Sequence, residues 1–136
     1  METFDTNVVV RILVEDDPQQ SLAALSRWRQ ALEAGGAFLP RLVLVEAVWV
    51  LRISYGFDRQ AIHGVLDALL RTEGVIVEDQ PSVLAALASY ATGSADFSDY
   101  LILESARAAR ALPVHTFDQR FARHADVSLI VTEASP

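Results

Sequence analysis

Five carboxylates stand where carboxylates are unusual, and they define the chemistry open to this chain. Glu46 lies inside an apolar run. Its helical neighbours at three and four residues are Leu42, Val43, Trp49 and Val50, while Arg41 and Arg52 fall on other faces. An unpaired carboxylate is costly in apolar surroundings, so Glu46 reaches solvent, pairs with a tertiary arginine, or faces a metal or a catalytic cleft. Asp5 ends a short strand and precedes Thr6-Asn7, which suits a helix cap. It also stands at the carboxyl end of a strand, where open α/β sheets collect ligands. Asp118 repeats that geometry in Val114-His115-Thr116-Phe117-Asp118, where Thr116 and Gln119 have the spacing of a capping box. Asp96 and Asp99 share one face of the first turn of a helix. Like charges there cost about a few tenths of a kcal/mol, partly offset by the helix N-terminus. Beyond them the face turns apolar at Ile102 and Leu103, which puts the acids at the mouth of a cleft.

The conjunction says more than its members. Two unit charges about 4 Å apart repel by roughly 4 kcal/mol at an effective dielectric of about 20, so gathering four or five carboxylates in one cleft calls for a cation. All 11 basic residues are arginine, and there is no lysine and no cysteine. A divalent cation is then the natural neutraliser, and all-oxygen ligation favours Mg²⁺ or Mn²⁺ over zinc. Such an ion activates water and stabilises charge on a phosphodiester. The residues alone lead to a candidate acidic metal site in an α/β domain. The remaining acids singled out, Glu15, Asp16, Asp17, Glu33, Asp67, Glu73 and Asp79, sit at helix ends, polar faces or loops and are expected to be solvated. His63, His115 and His124 have no ligand-like spacing.

The elements that must position these acids follow from pattern and punctuation. The chain has 136 residues, of which 51% are hydrophobic, which suits one domain over 1–136 and excludes disorder. The missing cysteine excludes a disulfide scaffold, a thiolate zinc site and a cysteine nucleophile. The missing lysine excludes a Walker phosphate loop and Schiff-base chemistry. The reading places strands at 2–5, 37–39, 74–78, 113–116 and 127–131. Helices are expected at 7–15, from Pro18 to 34, from 40 or 41 to 55, from Asp58 to 72, at 81–90 and at 95–111, with a short one at 118–123 and a frayed tail at 132–136. Segment 42–51 is rich in β-branched residues, but it is long for a strand and does not alternate, so helix is preferred. Alternating short strands and longer helices indicate an α/β fold with a mainly parallel sheet. The N-terminus carries Asp5 where a secretory signal would be basic and then apolar, and run 42–51 is far short of the ~20 residues that span a bilayer. A soluble, cytoplasmic protein is expected, with no membrane association.

Four blocks, in this order and spacing, resemble PIN-domain proteins of the VapC type, the toxin half of bacterial toxin–antitoxin pairs. They are Phe4-Asp5-Thr6-Asn7-Val8, Val43-Leu44-Val45-Glu46-Ala47-Val48-Trp49-Val50-Leu51, Ala95-Asp96-Phe97-Ser98-Asp99-Tyr100-Leu101-Ile102 and Thr116-Phe117-Asp118. The resemblance implies a three-layer α/β/α fold with a central, mostly parallel, five-stranded sheet, and endoribonuclease activity dependent on Mg²⁺ or Mn²⁺. It assigns the catalytic acids to Asp5, Glu46, Asp99 and Asp118. Asp5 and Asp99, helped by Asp118 or Asp96, would hold the metal, and Glu46 or Asp118 would orient or deprotonate the attacking water. Thr6, Asn7 and Thr116 match supporting polar positions. The products would carry a 5′-phosphate and a 3′-hydroxyl.

The same resemblance implies a cognate VapB-like antitoxin that places an arginine or an aromatic residue near the acids. The apolar helix around Trp49 and Leu51 suggests self-association, as a homodimer or within a larger toxin–antitoxin assembly. A phosphoreceiver domain also gathers acids at strand ends, but it needs a lysine that this chain lacks. A PIN domain with an RNA-processing role and a catalytically silent interaction module are the remaining alternatives. The net charge of −7 argues at first sight against a nucleic-acid partner. Setting the five cleft acids aside leaves −2 from that same charge, and arginines flanking the cleft, with Arg11, Arg52, Arg107 and Arg120 as candidates, would hold the RNA.

Overall fold

A computed structural model describes residues 1–133, so positions 134–136 of the expected tail lie outside the described residues. The chain divides into two compact units, Met1–Val83 and Leu84–Pro136. The fold class is α/β, as expected, and every strand pairing is parallel.

In the first unit, β1 (Glu2–Thr3), β2 (Ala37–Leu39) and β3 (Val75–Val77) form a sheet in the order β1-β2-β3. Glu2 pairs with Ala37, and Ala37 with Val75. Helices α1 (Thr6–Val14), α2 (Pro18–Glu33), α3 (Arg41–Ile53) and α4 (Arg59–Leu70) make up the rest. Local chemistry fixes their starts. Asp17 accepts a hydrogen bond from Gln20 N, with Pro18 in the first turn, and Asp58 accepts one from Ala61 N. Helix α2 gives way to β2 through Gly35-Gly36. A Cβ at Gly36 (φ 110°) would stand 2.9 Å from the Gly74 carbonyl oxygen, so glycine is what lets β2 run alongside the chain entering β3. The core holds fully buried Leu39, Leu44, Leu51, Ile62 and Leu66, and Phe4 meets Trp28 edge-on at 5.1 Å.

Segment 42–51 is helical, as its lack of alternation indicated. The buried residues of α3 are Val43, Leu44, Ala47, Val48 and Leu51. Leu51 is therefore committed to the core and unavailable for self-association. Leu42, Trp49 and Ile53 remain 68%, 57% and 58% exposed. Helix α1 starts one residue earlier than expected, at Thr6, and ends at Val14 because Glu15 takes a left-handed conformation (φ 56°).

The second unit contains most of α5 (Gln80–Thr92), the unit boundary falling inside that helix. It also holds α6 (Phe97–Ala108), β4 (Val114–Thr116), a 3-10 turn at Phe121–Arg123 and β5 (Val127–Leu129). Tyr90 packs edge-on against Phe97 at 6.1 Å, and Tyr100 against Phe121 at 6.2 Å. A side chain at Gly93 would collide with the Tyr100 hydroxyl, and that hydroxyl accepts a hydrogen bond from Ala95 N at 3.3 Å. Glycine here is a packing requirement of the α5–α6 turn. Strand β4 pairs with β5, Val114 opposite Val127.

The five strands thus form a three-stranded and a two-stranded sheet where a single five-stranded sheet was expected. Each strand is two or three residues long, so few ladder bonds are available to extend a sheet beyond the pairs that form. Among the described residues no helix is long and apolar enough to cross a membrane.

Candidate functional site

The carboxyl ends of β1, β2 and β3 lie on one edge of the first unit's parallel sheet, and each runs into polar residues. Asp5 follows β1. Its backbone is extended (φ −82°, ψ 173°) and its Oδ1 accepts from Val8 N at 3.3 Å, so the cap reading of Asp5 holds. The second oxygen, Oδ2, is not needed for the cap. Thr6, the first residue of α1, donates its hydroxyl to Glu46 Oε1 at 3.0 Å. This bond ties the start of α1 to the middle of α3, which pack against each other. Glu46 is exposed, so the solvent-reaching alternative applies. Asp5, Thr6, Asn7 and Glu46, together with apolar Val45, Trp49 and Val50, line an open cleft of about 570 Å³. A second open cleft, of about 840 Å³, lies on the other side of Asp5 and Asn7 and takes in Phe4, Arg11, Gln20 and Arg27.

The neighbouring acids on that edge have internal cations. Glu78 Oε1 accepts from Arg41 N at 3.0 Å and Arg41 Nε at 3.3 Å, while Arg41 Nη1 lies 3.6 Å from Asp79. The Arg41 backbone N–H and then its guanidinium hold the Glu78 carboxyl below its usual range. Asp79, expected to be merely solvated, is ion-paired. Asp16 departs from that expectation in the same way. Its Oδ2 accepts from the Tyr55 hydroxyl at 2.8 Å and its Oδ1 from Arg11 Nη1 at 2.5 Å. The Tyr55 hydrogen bond, followed by Arg11, lowers its pKa. Sequence reasoning missed both clamps. Arg41 and Glu78-Asp79 follow adjacent strands, so the strand order was the signal that could have found the first.

In the second unit, Asp96 is the N-cap of α6 and lies just outside the helix, where the first turn was expected to include it. Asp99 Oδ2 accepts from Asp96 N at 3.1 Å in a reciprocal capping box. Both are partly buried. Asp118 is exposed, and its Oδ1 accepts from Arg120 N at 2.8 Å and Phe121 N at 3.2 Å, while Thr116 Oγ1 accepts from Asp118 N at 3.0 Å. The polar turn there is centred on Asp118, where a Thr116–Gln119 box was expected.

The structure brings Asp5, Thr6, Asn7 and Glu46 together in one unit and Asp96 with Asp99 in the other. Among the described residues no three Asp, Glu or His side chains form a group able to hold a metal ion. The donor types in the first unit's cleft, two carboxylates, a hydroxyl and a carboxamide, suit a hard cation such as Mg²⁺ or Mn²⁺. Of the candidate RNA-binding arginines, Arg11 is held by Asp16, Gln20 and Tyr55, and Arg107 pairs with Asp126 at 2.8 Å and Glu104 at 3.5 Å. A phosphate at either would compete with these carboxylates. Arg52 and Arg120 are exposed.

Comparison with known proteins agrees with the four-block resemblance. A family model described as PIN domain matches residues 3–127. The VapC ribonuclease of Aquifex aeolicus (strain VF5) is similar, with 26% identity over 123 residues, covering 89% of this chain and 90% of that protein.

Proposed function

Because this chain belongs to the PIN-domain family, we propose that it is a Mg²⁺- or Mn²⁺-dependent endoribonuclease, acting in the cytoplasm as the toxin of a toxin–antitoxin pair. The observation that carries the reading is the cleft in which Asp5 and Glu46, from different elements, are joined through Thr6. The name of the similar VapC ribonuclease supports the same activity. By the resemblance, Asp5 is the candidate ligand in the first unit, and Asp96, Asp99 and Asp118 are the candidates in the second. When bound, the ion supplies charge neutralisation and a more acidic water.

The chain's own residues supply orientation. Thr6 occupies Glu46 Oε1, which leaves Oε2 to accept a hydrogen bond from the water that attacks phosphorus. Hydrolysis then leaves a 5′-phosphate and a 3′-hydroxyl. No protein nucleophile is required, in keeping with a chain that lacks cysteine and lysine. A VapB-like antitoxin would silence the site by offering a cation to the same carboxylates. Self-association would use the exposed apolar residues Leu42 and Ile53 of α3.

The test is expression and cleavage together. The parent chain should arrest growth and, purified with Mn²⁺, cut RNA to 5′-phosphate ends, and Asp99→Ala should do neither while remaining folded. An equally toxic Asp99→Ala chain, or a parent inert on RNA with Mg²⁺ and Mn²⁺, overturns the proposal.

A further inference from the structure

Among the described residues, Trp49 is the one large aromatic side chain lining the Asp5–Glu46 cleft, and it is 57% exposed. The other tryptophan, Trp28, is only 5% exposed and is stacked edge-on against Phe4. A largely exposed indole contributes little to the core, so its place needs another account. Its cleft is amphipathic: Val45, Trp49 and Val50 line it together with Asp5, Asn7 and Glu46 in a volume of about 570 Å³, and Trp49 lies one helical turn from Glu46 on the same face of α3. That volume lies within the range of small-molecule sites. A protein partner seated on Trp49 would desolvate the adjacent carboxylates and would have to supply them a cation. Leu42 and Ile53, the other exposed apolar residues of α3, are not among the residues lining this cleft. A ligand with an aromatic face and a polar rim matches this mixed lining.

We infer that Trp49 is the stacking platform for a nucleobase of single-stranded RNA beside the bond to be cut. This rests on the ribonuclease reading and gives a site role to a residue of the Glu46 block that the resemblance leaves without one. Aromatic side chains bind unpaired bases through their faces, with little dependence on sequence. Trp49 therefore fixes the position of the nucleotide while the acids act on the phosphate, and it is a positioning residue. The Asn7 carboxamide, in the lining of the same cleft, has both a donor and an acceptor to offer to the base edge.

The experiment uses tryptophan emission in the full chain carrying Asp99→Asn to suppress cleavage and Trp28→Phe to isolate Trp49. A six-nucleotide single-stranded RNA should quench Trp49, and an abasic sugar–phosphate oligomer of equal charge should not. In the otherwise native chain, Trp49→Leu should raise KM for RNA on the order of tenfold with kcat little changed, and Trp49→Phe should recover most of the loss. Equal quenching by the abasic oligomer, absence of quenching in a chain that cleaves RNA, or an unchanged KM in Trp49→Leu overturns the inference and leaves the nuclease reading intact. Sedimentation that shifts to monomer in Trp49→Leu with KM unchanged assigns Trp49 to self-association and overturns it too. Base-dependent quenching in a parent chain that cuts no RNA supports the platform and refutes the nuclease.

Discussion

Two ends of one sheet edge treat their carboxylates in opposite ways. At the β3 end, Glu78 and Asp79 share Arg41, which follows β2 and contributes both backbone and side-chain donors. At the β1 end, the contacts within the first unit bring Asp5 a backbone N–H and Glu46 a threonine hydroxyl, both neutral. A carboxylate that receives a guanidinium is satisfied by the fold, and its charge is spent locally. One that receives neutral donors is held in position with its charge intact, which is what a cation site or a water-orienting group requires. The number of acids on the edge is thus a poor guide to function, and the identity of the donor is a better one.

Substitutions that exchange the two kinds of acid test that distinction. Glu46→Gln and Asp5→Asn should each lower RNA cleavage on the order of a hundredfold. The melting temperature of Asp5→Asn should change little, because asparagine caps a helix about as well as aspartate. Asp5→Asn should also lose any stabilisation by millimolar Mn²⁺ measured in thermal melts. Arg41→Ala should do the reverse. It should keep cleavage within a few-fold and lower the urea-unfolding midpoint only slightly, because these groups are partly exposed. A chain in which Arg41→Ala removes activity and Asp5→Asn does not would break the comparison.

The smallest effect is on pH dependence. Asp16 and Glu78 hold protons less readily in the folded chain than their ordinary values of 3.8 and 4.5 imply. Their contribution to stability is therefore complete above that range and is lost as pH falls through and below it. Melts from pH 6 to about pH 3 should show this decline, less steeply in Arg41→Ala, where the Glu78 share is missing.

Much of this was legible in sequence because it depends on local rules. Length and the lack of alternation decided helix for α3 against a β-branched strand composition, and Val43, Leu44, Ala47, Val48 and Leu51 are its buried residues. The caps at Asp5 and Asp58, the start of α2 at Pro18 and the glycine stop after it are likewise short-range. The tertiary pairings escaped. Asp16 with Tyr55 spans 39 residues and Arg41 with Glu78 spans 37, and no helical or strand period relates such positions. Left-handed Glu15, Asp79 and Arg110 also shift element ends without the glycine that usually marks such a conformation. At the site, Asp5, Thr6, Asn7 and Glu46 were singled out in sequence, and these four line one cleft. The place of Trp49 was not foreseen, because an apolar residue on an apolar helix gives no sign of which side meets solvent.

Asp5 also has a physical reach beyond its own cleft. One of its oxygens holds the Val8 amide at the first turn of α1, so any event at the carboxylate is coupled to fraying of that helix. The Val8 amide proton is therefore a built-in reporter. Its exchange with deuterated solvent should slow when a cation pins the carboxylate and quicken in Asp5→Ala, where the cap is lost. Occupancy of the acidic cleft then becomes readable at a backbone atom, with no substrate present.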